Sequence, residues 1–286
     1  MKLPITVIVL AYDEEANLPR CLSRVKDHVE DVVVVTNADE RGTDTTSDIA
    51  ARFGARVFTH AYVNQAQQFD WALQNVDVKT PWILKLDADE WVTDDLWHEL
   101  EEKLGSTPED VTGYFIKRRV IFMGRWIRFG GYYPSWFLRL FRTGKARTDG
   151  REVDEHIVLT EGKAAKLQND FVDENMKGLS EWIKKHNDYA SREAAQSKAL
   201  DSQGFGNPEG SRNLERSSRR TRLVRRSLYA KLPLFLRAIL YWKYRYFIRL
   251  GFLDGVEGFV YHALQGLWYR FLIDAKIRET KHESSH

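Results

Sequence analysis

Leu86-Asp87-Ala88-Asp89-Glu90 is the stretch of this sequence whose residue types and spacing carry the most chemistry. It follows Trp82-Ile83-Leu84-Lys85-Leu86, an apolar run that reads as a buried strand. Alternate residues just past such a strand can aim two carboxylates into the crevice at its end. Mg2+ or Mn2+ accepts hard oxygen donors of this kind and completes its coordination with water and phosphate oxygens. The implied ligand is a divalent cation that holds a diphosphate, with Asp89 and Asp87 as candidate metal ligands. The competing reading is structural, with Asp89 and Glu90 as first-turn acids of a helix bearing Leu96, Leu100 and Leu104.

Two further polar stretches follow apolar runs. Asp39-Glu40-Arg41-Gly42-Thr43-Asp44-Thr45-Thr46 reads either as a loop whose carboxylate accepts hydrogen bonds from a nucleotide base or as an N-capped helix start. Both hold together if Asp39 binds and Asp44 caps. Tyr12-Asp13-Glu14-Glu15-Ala16-Asn17 places acids where they would meet a nucleotide or merely favour a first helical turn.

The elements that must position these residues alternate. Ile5 to Ala11, Val32 to Val35 and Ala55 to Thr59 are β-branched or apolar runs of strand length, joining the run at Trp82. Between them, Leu18, Leu22, Val25 and Val29 predict a helix over Asn17 to Val29. Asp44 to Phe53 predicts a second helix, and Ala66, Phe69, Ala72 and Val76 a third over Asn64 to Val76. Strand-helix alternation argues for an α/β domain with a mostly parallel sheet, whose ligands bind beyond the carboxyl ends of the strands. Gly113 to Phe141 then reads as strand pieces joined by glycines, and Leu179 to Ser202 as a polar helix. Gly204 to Gly210 is the expected linker, dividing residues 1–205 from an extension, 206–286.

Composition bounds the answer. The 286 residues are 43% hydrophobic and 29% charged, too apolar for disorder and ordinary for a folded protein in water. One cysteine, Cys21, cannot form an internal disulfide or a multi-cysteine zinc site and fits a reducing compartment, so a cytoplasmic location is expected. The first apolar run is too short for a spanning helix and is followed by Glu14 and Glu15, which does not read as a secretion signal. Charge is unevenly spread. Arg212 to Arg249 holds twelve Lys and Arg against Glu215 alone, interleaved with Leu, Phe, Tyr and Trp. That composition suits a segment lying on anionic lipid headgroups, and no nucleic-acid motif accompanies it.

Taken together, these motifs resemble the family 2 glycosyltransferases and their nucleotide-sugar-binding GT-A fold. The likeness lies in Ala11 to Glu15, Asp39 to Thr46, Asn64 to Leu73 and Leu86 to Glu90. More narrowly, Phe129-Gly130-Gly131-Tyr132-Tyr133-Pro134, Leu138 to Arg142 and Val153-Asp154-Glu155 are similar to the subgroup that adds glucose to lipopolysaccharide core. The resemblance implies inverting transfer of a hexose from a nucleotide sugar, UDP-linked by expectation, to a lipid-linked saccharide. It implies a donor site from Ala11, Tyr12, Glu14, Asp39, Gln68, Asp87 and Ala88. Glu155 is the expected base for the acceptor hydroxyl, with Asp154 the second candidate. Arg139 and Arg142 are expected to stabilise the leaving diphosphate, or else to serve as ordinary salt bridges.

Aromatic rings and glycines suit an acceptor sugar, so Trp126, Gly130, Gly131, Tyr132, Tyr133 and Trp136 are the candidate acceptor residues; a packed loop is the alternative. The expected molecule is a GT-A domain with a C-terminal helical membrane-associating extension, held peripherally at the inner face of the inner membrane. Two rival activities share these features: a nucleotidyltransferase of related fold, and a non-catalytic, membrane-tethered saccharide-binding protein.

Overall fold

The computed structural model describes residues 2–37, 44–150, 156–203 and 232–283. The expected strands form. They are β1 (Leu3–Leu10), β2 (Val29–Thr36), β3 (Arg56–Thr59) and β4 (Trp82–Asp87), all parallel, in the order β3-β2-β1-β4. Side-chain alternation sorts their residues onto two faces. Ile5, Val7 and Val9 of β1 face one core with Leu18 and Leu22, Ala50, and Leu96, Trp97 and Leu100. Ile8 of β1 and Val33 and Val35 of β2 face the other, with Phe69 and Ala72. Helices α1 (Leu18–Ser23), α2 (Thr46–Arg52) and α4 (Asp94–Lys103) therefore cover one side of the sheet and α3 (Gln65–Asn75) the other. This is the GT-A arrangement the resemblance implied.

Beyond β4 the chain adds β5 (Glu90–Val92), β6 (Val111–Phe122), the two-residue β7 (Arg125–Trp126), β8 (Ser135–Arg142), β9 (Ala146–Thr148), β10 (Ile157–Leu159) and β11 (Lys163–Asp173). The sheet continues β4-β8-β6-β11-β5, with β8 antiparallel to β4 and β6, and β5 antiparallel to β11. β9 and β10 make a separate hairpin whose Ala146, Ile157 and Leu159 pack on the α3 side.

One local expectation and one competing reading are corrected. The predicted helix over Asn17 to Val29 stops at Ser23, and Val29 opens β2. Pro19 starts the helix, Arg24 closes it with its backbone N–H near the carbonyls of Arg20, Cys21 and Leu22, and Val25 still reaches the core from the turn. The periodic apolar residues were thus core-facing without being helical throughout. The second correction concerns Asp89 and Glu90. They do not open the helix that carries Leu96 and Leu100, because β5 intervenes and Thr93 caps α4, its hydroxyl accepting from Leu96 N at 3.2 Å. The first-turn acids are Asp94 and Asp95.

The described residues fall into two compact units, one comprising residues up to Ile121 with Pro134–Met176, the other Phe122–Tyr133 with residues from Lys177 onward. The expected C-terminal helical extension is present in the second. Its elements are α5 (Gly178–Gln203), α6 (Leu236–Lys243), a π-helical turn Tyr244–Ile248, a 3-10 turn Gly251–Asp254, α7 (Gly255–Tyr261), a second π turn His262–Trp268 and α8 (Tyr269–Glu283). α5 and α8 pack through Ala190, Tyr269 and Ile273, and Glu193 accepts from Tyr269 Oη at 2.8 Å and Arg270 Nη1 at 2.9 Å. Among the described residues no helix is long and apolar enough to cross a membrane. The expected linker, 204–210, lies outside the described residues.

Candidate active site

Strand register brings the polar stretches to one rim. Leu10 pairs with Val35 on one side and Asp87 on the other, so β1, β2 and β4 end level. Ala11 to Glu15, Asn37 and Asp87 to Glu90 leave from that rim, where ligands of such sheets bind.

Asp87 is held from three directions. Its Oδ1 accepts from Gln65 Nε2 at 2.8 Å, at the first residue of α3, and lies 3.7 Å from Lys85 Nζ. Its Oδ2 accepts from Arg139 Nη2 at 3.1 Å. The same guanidinium nitrogen donates to Glu90 Oε1 at 2.5 Å, and Glu90 Oε2 in turn accepts from the backbone N–H of Asp87 at 2.9 Å. Arg139 reaches these acids because it sits on β8 directly beside β4. Glu90 is buried beneath the strand end, and burial pushes its carboxyl up to about 8; Arg139 pulls in the opposite direction, and the charges of Asp87 and Asp173 add to the rise. Ala88 is buried, and its neighbour Asp89 is half-buried, accepting from Asn175 Nδ2 at 3.0 Å while its carbonyl accepts from Glu174 N at 3.0 Å.

The other rim acids gather at β1. Glu14 N donates to Thr46 Oγ1 at 3.0 Å, which ties the turn after β1 to the start of α2. Asp44 Oδ1 accepts from Thr46 N at 2.9 Å, satisfying a free backbone N–H at the first residue of α2, whose N-cap position is Thr45. In consequence one carboxylate oxygen each from Asp13, Glu15 and Asp44 lie within 4.8 Å of one another. Such a set of hard oxygens fits a divalent cation in ligand type, as does the Asp89 carboxylate. Ala11 is buried, its N–H donating to Val35 O at 3.0 Å, and Tyr12 is half-buried beside it.

Not every candidate reaches this rim with its polar atoms available. Gln68 is buried, with Oε1 2.8 Å from His60 Nδ1 and Nε2 donating to the carbonyls of Thr36 and His60, both at 3.3 Å. It ties α3 to the ends of β2 and β3. Arg142 pairs with Trp82 at the opposite end of β4 from Asp87, where its guanidinium donates to Val111 O at 3.1 Å and lies 4.6 Å from the Trp82 ring. The antiparallel direction of β8 separates Arg139 from Arg142, so only Arg139 joins the acids, and the salt-bridge alternative for Arg142 becomes a set of backbone hydrogen bonds. Asp39, Asp154 and Glu155 lie outside the described residues. The segment carrying the last two leaves from Asp149 and returns at His156, which are tied by Asp149 N to His156 O at 2.8 Å and His156 N to Asp149 Oδ1 at 3.1 Å.

The expected acceptor residues belong to two units. Trp136 is on β8 of the first, with Lys166 Nζ 5.2 Å and Lys117 Nζ 5.9 Å from its ring. Trp126, Gly130, Gly131, Tyr132 and Tyr133 belong to the second, where they pack against residues of that same unit. Trp126 meets Tyr133 edge to face at 5.0 Å, and Arg245 lies 3.5 Å from the Tyr132 ring centroid. Tyr132 is driven well above the usual tyrosine range by burial, with the Tyr261 phenol adding to the rise. Gly130 and Gly131 have positive φ, 68° and 76°, and a Cβ on Gly130 would stand 2.0 Å from His262 Cε1. Close approach is indeed the reason for the glycines, but what approaches Gly130 is an imidazole of the same chain.

Several residues of the site escaped sequence reasoning. Gln65, Glu90 and Asn175 orient the two aspartates. Lys85 left a signal, a lysine inside an apolar strand, 3% exposed and 5.2 Å from the Phe69 ring. The others left none.

Comparison with known proteins gives a consistent set of likenesses. The family model for glycosyl transferase family 2 matches residues 6–158. Over 290 aligned residues the chain is 28% identical to the lipopolysaccharide core biosynthesis glycosyltransferase LpsC of Rhizobium meliloti, covering 96% of this chain and 92% of that protein. It is 31% identical over 121 residues to an uncharacterized glycosyltransferase, RT0209, of Rickettsia typhi, spanning 42% of this chain and 40% of the relative. Among solved structures it is similar to glucosyl-3-phosphoglycerate synthase from Mycobacterium tuberculosis, crystallised with Mn2+, UDP and glucosyl-3-phosphoglycerate. That likeness has 19% identity and a TM-score of 0.33, over 41% of this chain and 44% of the other.

Proposed function

The chain belongs to glycosyl transferase family 2, and from that premise we propose that it transfers a hexose, glucose by preference, from a UDP-sugar to a lipid-linked saccharide such as lipopolysaccharide core or an exopolysaccharide precursor. The observation that carries the reading is the level ending of β1 and β4, with Asp87, Asp89 and the acids after β1 on one rim. Near full-length similarity to a lipopolysaccharide core glycosyltransferase supports the class of acceptor.

In this reading the reaction inverts the sugar. The acceptor hydroxyl oxygen bonds to the anomeric carbon as the bond to the nucleoside diphosphate oxygen breaks, and the hydroxyl proton passes to Glu155, or to Asp154. A divalent cation, Mg2+ or Mn2+, held by Asp89 with Asp87 beside it, would neutralise charge on the departing diphosphate. Arg139 holds Asp87 in place and offsets part of its charge; Ala11, Tyr12, Glu14 and Asp39 line the nucleoside side. Residues 1–205 hold the transferase chemistry, and residues 206–286 attach the protein peripherally to the cytoplasmic face of the inner membrane.

The test is to incubate the purified chain with UDP-glucose, Mn2+ and delipidated core oligosaccharide, following UDP release and the anomeric configuration of the product. A β-linked product from the α-linked donor supports the proposal. Release of pyrophosphate in place of UDP, or an α-linked product, overturns it.

A further inference from the structure

The second unit carries apolar side chains on the outward side of one of its helical stretches. Between Gly251 and His262 the inward positions are plain: Gly251, Asp254, Gly258, Tyr261 and His262 are buried, at the three- and four-residue spacing of a helix face. The outward positions should then be polar. Instead Phe252, Val256 and Phe259, also at helical spacing, are exposed, with Leu253 beside them and Ile248 on the turn before. Val256 is 73% exposed and Ile248 71%. A helix that is apolar on its outward face is covered by something in its working state.

Charge selects what covers it. From Ile239 to Phe259 the exposed charged residues are Lys243 and Arg249, whereas Asp254 is buried and Glu257 half-buried. Immediately before this unit's α6 in the chain, Arg212 to Lys231 contains eight Lys and Arg against one Glu. An apolar edge with cations and no exposed acid matches a bilayer with anionic headgroups, and the short helices are interfacial in length, since none among the described residues can cross. We propose that the outward edge formed by Ile248, Phe252, Leu253, Val256 and Phe259 inserts among the lipids of an anionic membrane and is the apolar anchor of the protein. The inference deepens, and rests on, the peripheral attachment proposed above. It moves the anchor from the basic segment to a later stretch that the basic segment serves only electrostatically.

The experiment is co-sedimentation of the full chain with vesicles of phosphatidylethanolamine and phosphatidylglycerol, against vesicles of phosphatidylcholine. The triple variant Phe252→Asp, Val256→Asp, Phe259→Asp changes only exposed side chains. It should keep the wild-type melting temperature and bind the anionic vesicles at least about tenfold more weakly. A second variant, Phe252→Trp, keeps the apolar character, and its difference fluorescence should be quenched by lipids brominated in the acyl chains. Equal vesicle binding by the triple variant, or an unquenched Trp at 252, overturns the proposal. So does a concentration-dependent dimer that the aspartates break while neither protein binds vesicles, because the edge would then serve a second copy. Transfer to a delipidated acceptor separates the two claims. Absence of transfer with vesicle binding intact sinks the proposed activity alone, and vesicle binding unaltered by the aspartates sinks the anchor alone.

Discussion

Arg139 donates to both Asp87 and the buried Glu90, and its removal would leave the two carboxyls without their shared donor. Breaking one side of a buried charge pair costs about 3–5 kcal/mol, so Arg139→Ala should lose stability on that scale in urea unfolding. Arg139→Lys should recover part of the stability but not the orientation of Asp87, because one ammonium replaces a fork of donors. Nucleotide affinity measured by calorimetry should therefore stay at least about tenfold below wild type in both variants. Glu99 makes a different kind of statement. It is buried in the middle of α4, where it accepts from Gln168 N and Asn169 N at 2.8–2.9 Å and from Lys103 Nζ at 2.6 Å. Burial alone would raise its pKa, but Lys103 and the two backbone N–H groups outweigh it and hold the carboxyl below its ordinary value. A depressed pKa adds stability that is present above the unfolded-state value and lost as pH falls through the folded one. Urea titrations should thus show Glu99→Gln less stable than wild type at neutral pH, with the gap closing on acidification; a gap independent of pH would refute this. Asp87 and Asp89 were legible in the sequence because they end an apolar run. Glu90 and Glu99 were not, since nothing local separates an acid that folds under a strand from one that faces solvent.

At the scale of elements, the strands and α3 were readable because pattern and cap agree. Asn64 was expected at the helix start, and it caps with Oδ1 accepting from Gln67 N at 2.9 Å. Asn64→Ala should cost about 1 kcal/mol in thermal or urea unfolding, and a change near zero would show the cap to be idle. The region from Leu18 to Val29 misled because an apolar residue every three or four positions also describes a short helix followed by a turn into a strand. The glycine loop carries ties that its composition does not announce: Gly130 N donates to Arg249 O at 2.9 Å and Arg245 Nε to Gly130 O at 2.6 Å, contacts between segments more than a hundred residues apart that no local pattern encodes. Gly130→Ala would place a methyl against the His262 ring at a positive φ. Overpacking of this kind costs about 1–3 kcal/mol, read as a lowered melting temperature with the first unit's nucleotide affinity unchanged.

For the whole molecule, the uneven charge and the Leu, Phe, Tyr and Trp interleaved with it in the last third lead to the expectation of a membrane-associating extension; the helical unit there carries an exposed apolar edge, and its attachment to a membrane is the proposal tested above. What the sequence did not reveal is that Phe122–Tyr133, read as part of the catalytic domain, folds with that unit, because the ties run through buried groups such as Asp254. The parallel half of the sheet has the simpler logic, in which three strand ends made level by register set their polar sequels along one rim. The claim on which the account rests is that this rim binds a nucleoside diphosphate through a divalent cation at Asp89 and Asp87. Titration calorimetry of UDP into the full chain tests it directly, with Mn2+ present and with the cation removed by chelator. Binding is expected with Mn2+, little without it, and none by Asp89→Ala in either condition; UDP binding that is indifferent to both the cation and the substitution would contradict the cation's role at this rim.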